Sequence, residues 1–318
     1  MDKSARIFVA GHTGLIGSAV CRALSYRGHS SIITRSSKLL DLRNQAAVDR
    51  FLKKQRPQYV VLAAGRVGGI LENKTYPAEF ILDNLSIQLN VLKAAAELGV
   101  KRLIFFGSSC MYPTEAVQPM AESALLTGKP ESTSLSYAVA KFAGLQMCLA
   151  LNQQLGRSVF IPLIPNSTYG PFDNFDSTSS HVLSALIRRF VDARRQGLPS
   201  VKLWGSGRVR REFIYSDDVA EACLMFLEKD ILPSSLPINI GCGNDITIAE
   251  LADKIAAIVG YGGTIEWDLE RPDGAPRKLL DTSRISAIGW SPKIDLSTGL
   301  TKTYHWYLAN QDTVLESS

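Results

Sequence analysis

Tyr137 and Lys141 stand one helical turn apart in Tyr137-Ala138-Val139-Ala140-Lys141, downstream of Gly107-Ser108-Ser109-Cys110. On a helix, positions i and i+4 share a face, so the phenol and the ammonium enter the same space. A lysine beside a tyrosine favours phenolate and lowers the phenol pKa, which makes Tyr137 a proton donor and acceptor near neutrality. Ser108, delivered from another element, would hydrogen-bond the same substrate oxygen. Tyr-x-x-x-Lys alone is a weak pattern, and its companions give it meaning.

The first companion opens the chain. Arg6-Ile7-Phe8-Val9-Ala10 reads as a buried strand, Gly11-His12-Thr13-Gly14-Leu15-Ile16-Gly17 as a glycine turn, and Ser18 to Leu24 as an amphipathic helix. Backbone N–H groups and a helix N-terminus there would cradle a dinucleotide pyrophosphate, with glycines permitting close approach. The spacing is G-x-x-G-x-x-G, and the plain alternative is a tight βα turn without a ligand.

These residues need a scaffold, and the chain alternates β and α. Strands are predicted at Ser31–Thr34, Tyr59–Ala64, Lys101–Gly107 and Val159–Pro162, with helices at Gln45–Gln55, Ile81–Leu98 and Tyr137–Leu155. Such alternation predicts an α/β fold, a Rossmann-type doubly wound parallel sheet, with ligands beyond the carboxyl ends of the strands. Gly11, Ala63, Ser108 and Pro165 all fall just past strand ends. Beyond about residue 170 the pattern loosens. Helices are predicted at His181–Gln196, Asp217–Leu227 and Ile248–Ile258, with short strands at Val201–Trp204 and Ile238–Ile240. The division expected is 1–170 for the dinucleotide domain and 171–318 for a smaller C-terminal α/β substrate lobe, with some later segments returning to the first.

Composition sets further bounds. With 46 % apolar and 20 % charged residues, the 318-residue chain is ordinarily globular. The net charge of +5 is mild and its arginines are scattered, apart from Arg188-Arg189, Arg194-Arg195 and Arg208 to Arg211, so a nucleic-acid surface is not expected. Those clusters would suit an anionic diphosphate. The five cysteines, 21, 110, 148, 223 and 242, show neither disulfide nor zinc spacing, so no metal is expected. No leader and no apolar run near 18 residues is read, so no membrane and a cytoplasmic location are the expectation.

Taken together, these stretches resemble the extended short-chain dehydrogenase/reductase superfamily and, within it, the GDP-L-fucose synthase family. Val67-Gly68-Gly69-Ile70, Gly107 to Pro113, Tyr169 to Phe175, Ser180-His181-Val182, Trp204 to Gly207, Arg211-Glu212-Phe213 and Pro272 to Lys278 carry the likeness, in family order over nearly the whole chain. The resemblance implies an NADPH-dependent 3,5-epimerase/4-reductase of a GDP-4-keto-6-deoxy sugar, working as a homodimer through helices 81–98 and 137–155. It implies Cys110 and His181 as base and acid at C3 and C5, with Ser108, Tyr137 and Lys141 serving reduction. A thiol two residues past Ser108 on one extended segment would share its side. As plain alternatives, Cys110 is a buried filler and His181 a polar helix start.

For cofactor contacts the resemblance implies Gly11 to Gly17, Asp41, Ala63, Ala64, Phe106, Gly107, Ser108, Ser109, Tyr137, Lys141, Pro165, Asn166, Ser167, Thr168 and His181. For the GDP-sugar it implies Arg189, Trp204, Arg211, Asp273 and Lys278; Trp204 could instead be core and Arg189 a solvated face. Arg35 and the serines after it lie at the second strand tip, where no Asp or Glu stands to take a free ribose 2′-hydroxyl. They suit a 2′-phosphate and hence NADP. Three departures leave the sugar open: Pro165-Asn166-Ser167-Thr168 for the usual Pro-Thr-Asn, Gly65-Arg66 for Ala-Lys, and Thr13 where some members have arginine. A dideoxy or heptose sugar, another base, an epimerase recycling bound NAD, a reductase without epimerase activity and a non-enzymatic cofactor sensor are the rivals.

Overall fold

The computed structural model describes residues 1–176, 179–229, 237–271 and 273–311. Its first half builds β1 (Ile7–Ala10), α1 (Leu15–Tyr26), β2 (Ile32–Ile33), α2 (Gln45–Gln55), β3 (Tyr59–Leu62), α3 (Ile70–Thr75), α4 (Pro77–Leu98), β4 (Arg102–Phe106), α5 (Leu135–Leu155) and β5 (Phe160–Pro165). Their boundaries follow local chemistry. Asn44 caps α2 by accepting from the Ala47 N–H at 3.0 Å. Pro77 supplies the preset φ of a first helical position, so α4 starts a turn before Ile81. Gly99 and Gly156 end α4 and α5 in the left-handed conformation.

The remaining elements are β6 (Ser167–Tyr169), α6 (Val182–Gln196), β7 (Ser200–Trp204), β8 (Arg210–Arg211), β9 (Phe213–Tyr215), α7 (Ser216–Glu228), β10 (Ile238–Ile240), β11 (Ile246–Thr247), α8 (Ile248–Val259), β12 (Thr264–Asp268), β13 (Arg277–Lys278), α9 (Ser283–Ala287) and α10 (Leu296–Ala309). The principal sheet has the order β10-β5-β4-β3-β1-β2, every pair parallel. It is the doubly wound arrangement the alternation predicts, with β10 returning late in the chain to flank β5. One core lies where α1 and α7 cover a sheet face, and a second where α2, α4 and α5 cover the other. Small sheets β11-β8-β13, β12-β7 and β6-β9 join α6, α8 and α10 around a third core.

The reading that no apolar run approaches 18 residues is corrected by Ser132–Leu155, which has a mean hydropathy of 1.3. The stretch is apolar because α5 is a core helix. Ala138, Ala140, Leu145 and Cys148 are buried, packed toward α4 and β5. Val139 and Leu155 remain exposed.

Candidate active site

The carboxyl ends of β1, β3, β4 and β5, parallel neighbours in the sheet, lie along one edge of it. Gly11 follows β1 at φ +84°, and a β-carbon there would meet the backbone of Ala63 and Ala64 at 2.7–2.8 Å. A β-carbon on Gly17 would collide with the Gly11 carbonyl. Glycine is therefore required for α1 to start this close to the turn. Gly14 caps α1 without any side-chain bond and no acid stands in the first turn, so the helix N-terminus is electrostatically suited to an anion. This cradle fits a dinucleotide pyrophosphate. At the β2 tip, Arg35 donates to the Thr34 carbonyl at 2.7 Å and its guanidinium lies 5.6 Å from the Phe51 ring centroid. The Asp41 carboxylate is held below its ordinary range by the Arg43 side chain and N–H. Its charge is thereby matched within the loop.

Tyr137 and Lys141 sit in the first two turns of α5, both buried. Lys141 Nζ donates to the Phe106 carbonyl at 2.9 Å, where β4 ends, and lies 6.0 Å from the Tyr137 ring centroid. Burial pushes the Lys141 ammonium down to about 8. It pushes the Tyr137 phenol up, with the nearby charge of Cys110 adding to the effect and a hydrogen bond with Ser108 opposing it. The expectation of a lowered phenol pKa is thus corrected. Desolvation exceeds what a lysine engaged by a carbonyl returns, and Tyr137 rests as the neutral acid.

Ser108 precedes a 3₁₀ turn, Ser109–Met111, and its Oγ accepts from the Cys110 N–H at 3.2 Å. Cys110 therefore does not lie on an extended continuation of Ser108. The turn rather than strand alternation carries the thiol to the flank of Tyr137.

His181 is exposed and occupies the N-cap position of α6 without making a cap bond. A chain of contacts ties it to the same mouth. Gly69 N–H donates to the Ser179 carbonyl at 2.9 Å, and a β-carbon on Gly69 would lie 2.9 Å from the Ser180 carbonyl. Ser179 is further held by Asn174 and Asp176. One residue before Gly69, Gly68 approaches Phe80, whose ring meets Tyr137 edge-on at 6.2 Å. Asn84 straps the start of this loop by donating to the Arg66 carbonyl and accepting its N–H. Asp173 lies near His181. Desolvation pushes its carboxyl up, and His181, Ser184 and the Asn174 N–H oppose the rise.

Of the residues expected to meet the nucleotide sugar, Arg211 is electrostatically linked to Cys110. Burial lowers its pKa, and Glu131, Cys110 and Asp273 pull it back. Its Nη1 donates to the carbonyls of Arg210 and Ala275. Lys278 pairs with Glu131 at 3.1 Å. Trp204 is 55 % exposed, which rules out the core alternative, and Arg271 covers it at 4.9 Å from the ring centroid. Asp273 accepts from Ser206 N–H and Oγ at 2.9 and 2.7 Å, bracing the loop after Trp204. Arg189 donates to the Lys202 carbonyl at 2.9 Å beside a cavity of about 270 Å³ between α6 and β7. It is not a freely solvated side chain. Pro272 lies outside the described residues.

Asn166 is buried with its amide hydrogen-bonded to Glu212 and its Oδ1 accepting from the Ser167 N–H, while Thr168 Oγ1 donates to the Asn166 carbonyl. Glu212 also accepts from the backbone N–H groups of Gly243 and Leu280, so one carboxylate joins β5, β8, β13 and the loop after β10. Sequence reasoning missed Glu131, Asp173 and Glu212. Asp173 and Glu212 lie within stretches that carry the family likeness, whereas Glu131 lies outside them, six residues before Tyr137.

Residues 7–241 match the NAD dependent epimerase/dehydratase family. The chain is 49 % identical to GDP-L-fucose synthase 1 of Arabidopsis thaliana, over 97 % of this chain and 95 % of the relative. Among solved structures it is similar to a GDP-6-OMe-4-keto-L-xylo-heptose reductase from C. jejuni, with TM-score 0.91, 36 % identity and coverage of 98 % and 99 %. It is also similar to a GDP-mannoheptose C4 reductase from Campylobacter jejuni with NADP bound, at TM-score 0.87, 37 % identity and coverage of 97 % and 99 %. With the glycine cradle, the Ser108–Tyr137–Lys141 set and this full-length likeness in hand, the chain belongs to the NAD dependent epimerase/dehydratase family and, within it, to the GDP-L-fucose synthase family.

Proposed function

We propose that the chain is an NADPH-dependent 3,5-epimerase/4-reductase that converts a GDP-4-keto-6-deoxy sugar to GDP-L-fucose or a close analogue. The observation that supports this reading is the Ser108, Tyr137 and Lys141 set at the end of β4, with Lys141 anchored to the Phe106 carbonyl and Cys110 on the turn that follows Ser108, in a chain of the GDP-L-fucose synthase family.

NADPH, when bound in the glycine cradle, supplies the hydride for C4. The protein's own residues do the rest. Ser108 and Tyr137 hydrogen-bond O4 and polarise the ketone, which acidifies the protons at C3 and C5. Cys110 as thiolate takes the proton from one centre and protonated His181 returns one on the opposite face, inverting it through an enolate that Tyr137 stabilises; proton exchange with solvent resets both groups before the second centre is inverted. Tyr137 then protonates O4 as the C4–H bond forms. The Lys141 ammonium, 6.0 Å from the Tyr137 ring centroid, offsets the negative charge Tyr137 takes on when it gives up its proton, and orients the nicotinamide ribose. Arg211, Lys278, Arg189, Trp204 and Asp273 hold or frame the GDP portion, with the Arg fork suited to diphosphate oxygens.

A second reading, C4 reduction of a heptose or dideoxy GDP-keto sugar, is favoured by one observation. The Asn166 amide is committed to Glu212, so the segment 165–168 meets the sugar with a different side-chain set from the usual Pro-Thr-Asn. We further infer a cytoplasmic homodimer. Leu82 and Leu89 on α4 and Val139 on α5 are exposed, on the two helices expected at the interface, and all five cysteines are unpaired, as suits a reducing compartment.

The deciding experiment offers GDP-, UDP-, CDP- and dTDP-4-keto sugars with NADPH and identifies the products by NMR. GDP-L-fucose from GDP-4-keto-6-deoxymannose is the expected result. Turnover only of a heptose or of another base would overturn the first reading. Tyr137→Phe in the same assay should cut reduction about 10²-fold or more.

A further inference from the structure

The register of β8 and β13 sets Lys278 directly beside Arg211. Register partners in adjacent strands lie about 4.8 Å apart and project from the same sheet face, so two cations stand side by side. Like charges so placed repel unless an anion answers both. Glu131, from the turn that leads into α5, supplies it. Its Oε2 accepts from Lys278 Nζ at 3.1 Å, and its Oε1 accepts from Thr133 Oγ1 at 2.8 Å. Gly274 lies between the carboxylate and the guanidinium: a β-carbon there would sit 3.0 Å from Arg211 Nη2 and 3.8 Å from Glu131 Oε1. Both partners of the ion pair are largely shielded, with side chains 18 % and 17 % exposed. Such a pair is worth more than one on open surface.

The pair joins two parts of the chain that lie far apart in sequence. Glu131 is six residues before Tyr137, in the turn that leads into the helix carrying the proton donor, whereas Lys278 belongs to the small sheet of the substrate side. We propose that Glu131 is a positioning residue that latches this sheet to the Tyr137 helix and holds Lys278 beside Arg211 for the substrate's diphosphate. The inference rests on the nucleotide-sugar reading above. It assigns Glu131 no proton and no contact with the reacting carbons. Its effect is the distance between the end that grips the diphosphate and the end that reacts.

The full chain saturated with NADPH is the material for the test, with Glu131→Gln, Lys278→Met and the double variant. Each single change should raise KM for the GDP-4-keto sugar about tenfold, the scale of a lost hydrogen bond to a charged group, with kcat nearly unchanged. The double variant should be no worse than the worse single one, because both remove the same latch. Hydrogen exchange with NADPH alone, before any sugar is added, should rise in Glu131→Gln at both 131–137 and 277–280. A lowered KM in Glu131→Gln would make the carboxylate a competitor of the diphosphate and overturn the proposal. Additive single effects, or unchanged exchange in either segment, would overturn it equally. If the unmodified chain turns over no GDP-4-keto sugar, the functional reading fails, while the exchange result still decides the latch.

Discussion

Lys141 Nζ donates to the Phe106 carbonyl at 2.9 Å, so the ammonium is anchored to the end of β4 and not to the Tyr137 hydroxyl. The anchor fixes which group titrates. Burial holds Tyr137 protonated well into alkali and pushes Lys141 down to about 8. An alkaline limb in the free enzyme is therefore expected from the lysine.

That assignment has a measurable sign. Lys141 loses its positive charge as pH rises through about 8, so kcat/KM for reduction should fall above that pH. Unfolding restores the ordinary lysine value, so the unfolded chain binds more protons between about 8 and 10.5. This group then makes the fold more stable as pH rises through the window in which activity declines. Lys141→Arg keeps the charge and should remove the alkaline limb. A limb that persists unchanged in that variant would assign it elsewhere.

The proposed basis of cofactor choice is Arg35. Its guanidinium lies over Phe51 at the β2 tip, and the Asp41 charge nearby is matched by Arg43. A ribose 2′-phosphate would meet a cation there with no repelling carboxylate left unpaired. NADPH should be preferred to NADH in kcat/KM, and Arg35→Glu should erase or reverse the preference. Equal constants for both cofactors in the unmodified chain would dispose of the idea.

Gly69 gives a prediction from packing alone. Its N–H holds the Ser179 carbonyl, and the added carbon of Gly69→Ala would lie 2.9 Å from the Ser180 carbonyl. The 179–181 segment must shift by several tenths of an ångström, carrying His181 with it. Misplacement on the ångström scale costs up to about 10²-fold in rate. Epimerisation should fall by roughly 10- to 100-fold with NADPH affinity unchanged. An unaltered epimerisation rate would mean that the loop does not set the position of His181.

How much of this could be read from sequence depends on what each residue answers to. Gly11 and Gly17 answer to local backbone geometry, so the cradle was legible from spacing. The parallel sheet was legible too, because strand and helix periods alternate cleanly through α5. The 3₁₀ turn at Ser109–Met111 was not, since three residues carry no period, and Cys110 was assigned to an extended segment. The protonation of Tyr137 was misjudged because desolvation is a tertiary quantity that neighbour identity does not reveal. Glu131, Asp173 and Glu212 were invisible as site residues for the same reason: their partners Lys278, His181 and Asn166 are brought to them by the fold.

The two chemistries proposed for this crevice separate at Cys110 and His181. Hydride delivery to C4 uses Tyr137 and the bound nucleotide, whereas inversion at C3 and C5 needs a base and an acid at the ring carbons. Cys110 lies at the flank of Tyr137 on its 3₁₀ turn, and His181 heads α6 at the far side of the Gly69 loop. Cys110→Ser keeps the size but raises the side-chain pKa far above neutrality. His181→Gln keeps some hydrogen bonding but cannot cycle a proton near pH 7. Neither residue belongs to the buried core, so both variants should fold, and Cys110→Ser should bind NADPH normally. Solvent deuterium should no longer enter C3 and C5 of the keto sugar, and any residual reduction should give a C4 alcohol with the original configuration at both centres. Deuterium wash-in at the unmodified rate by both variants would leave a reductase whose cysteine serves another purpose, and the epimerase half of the proposed function would be withdrawn.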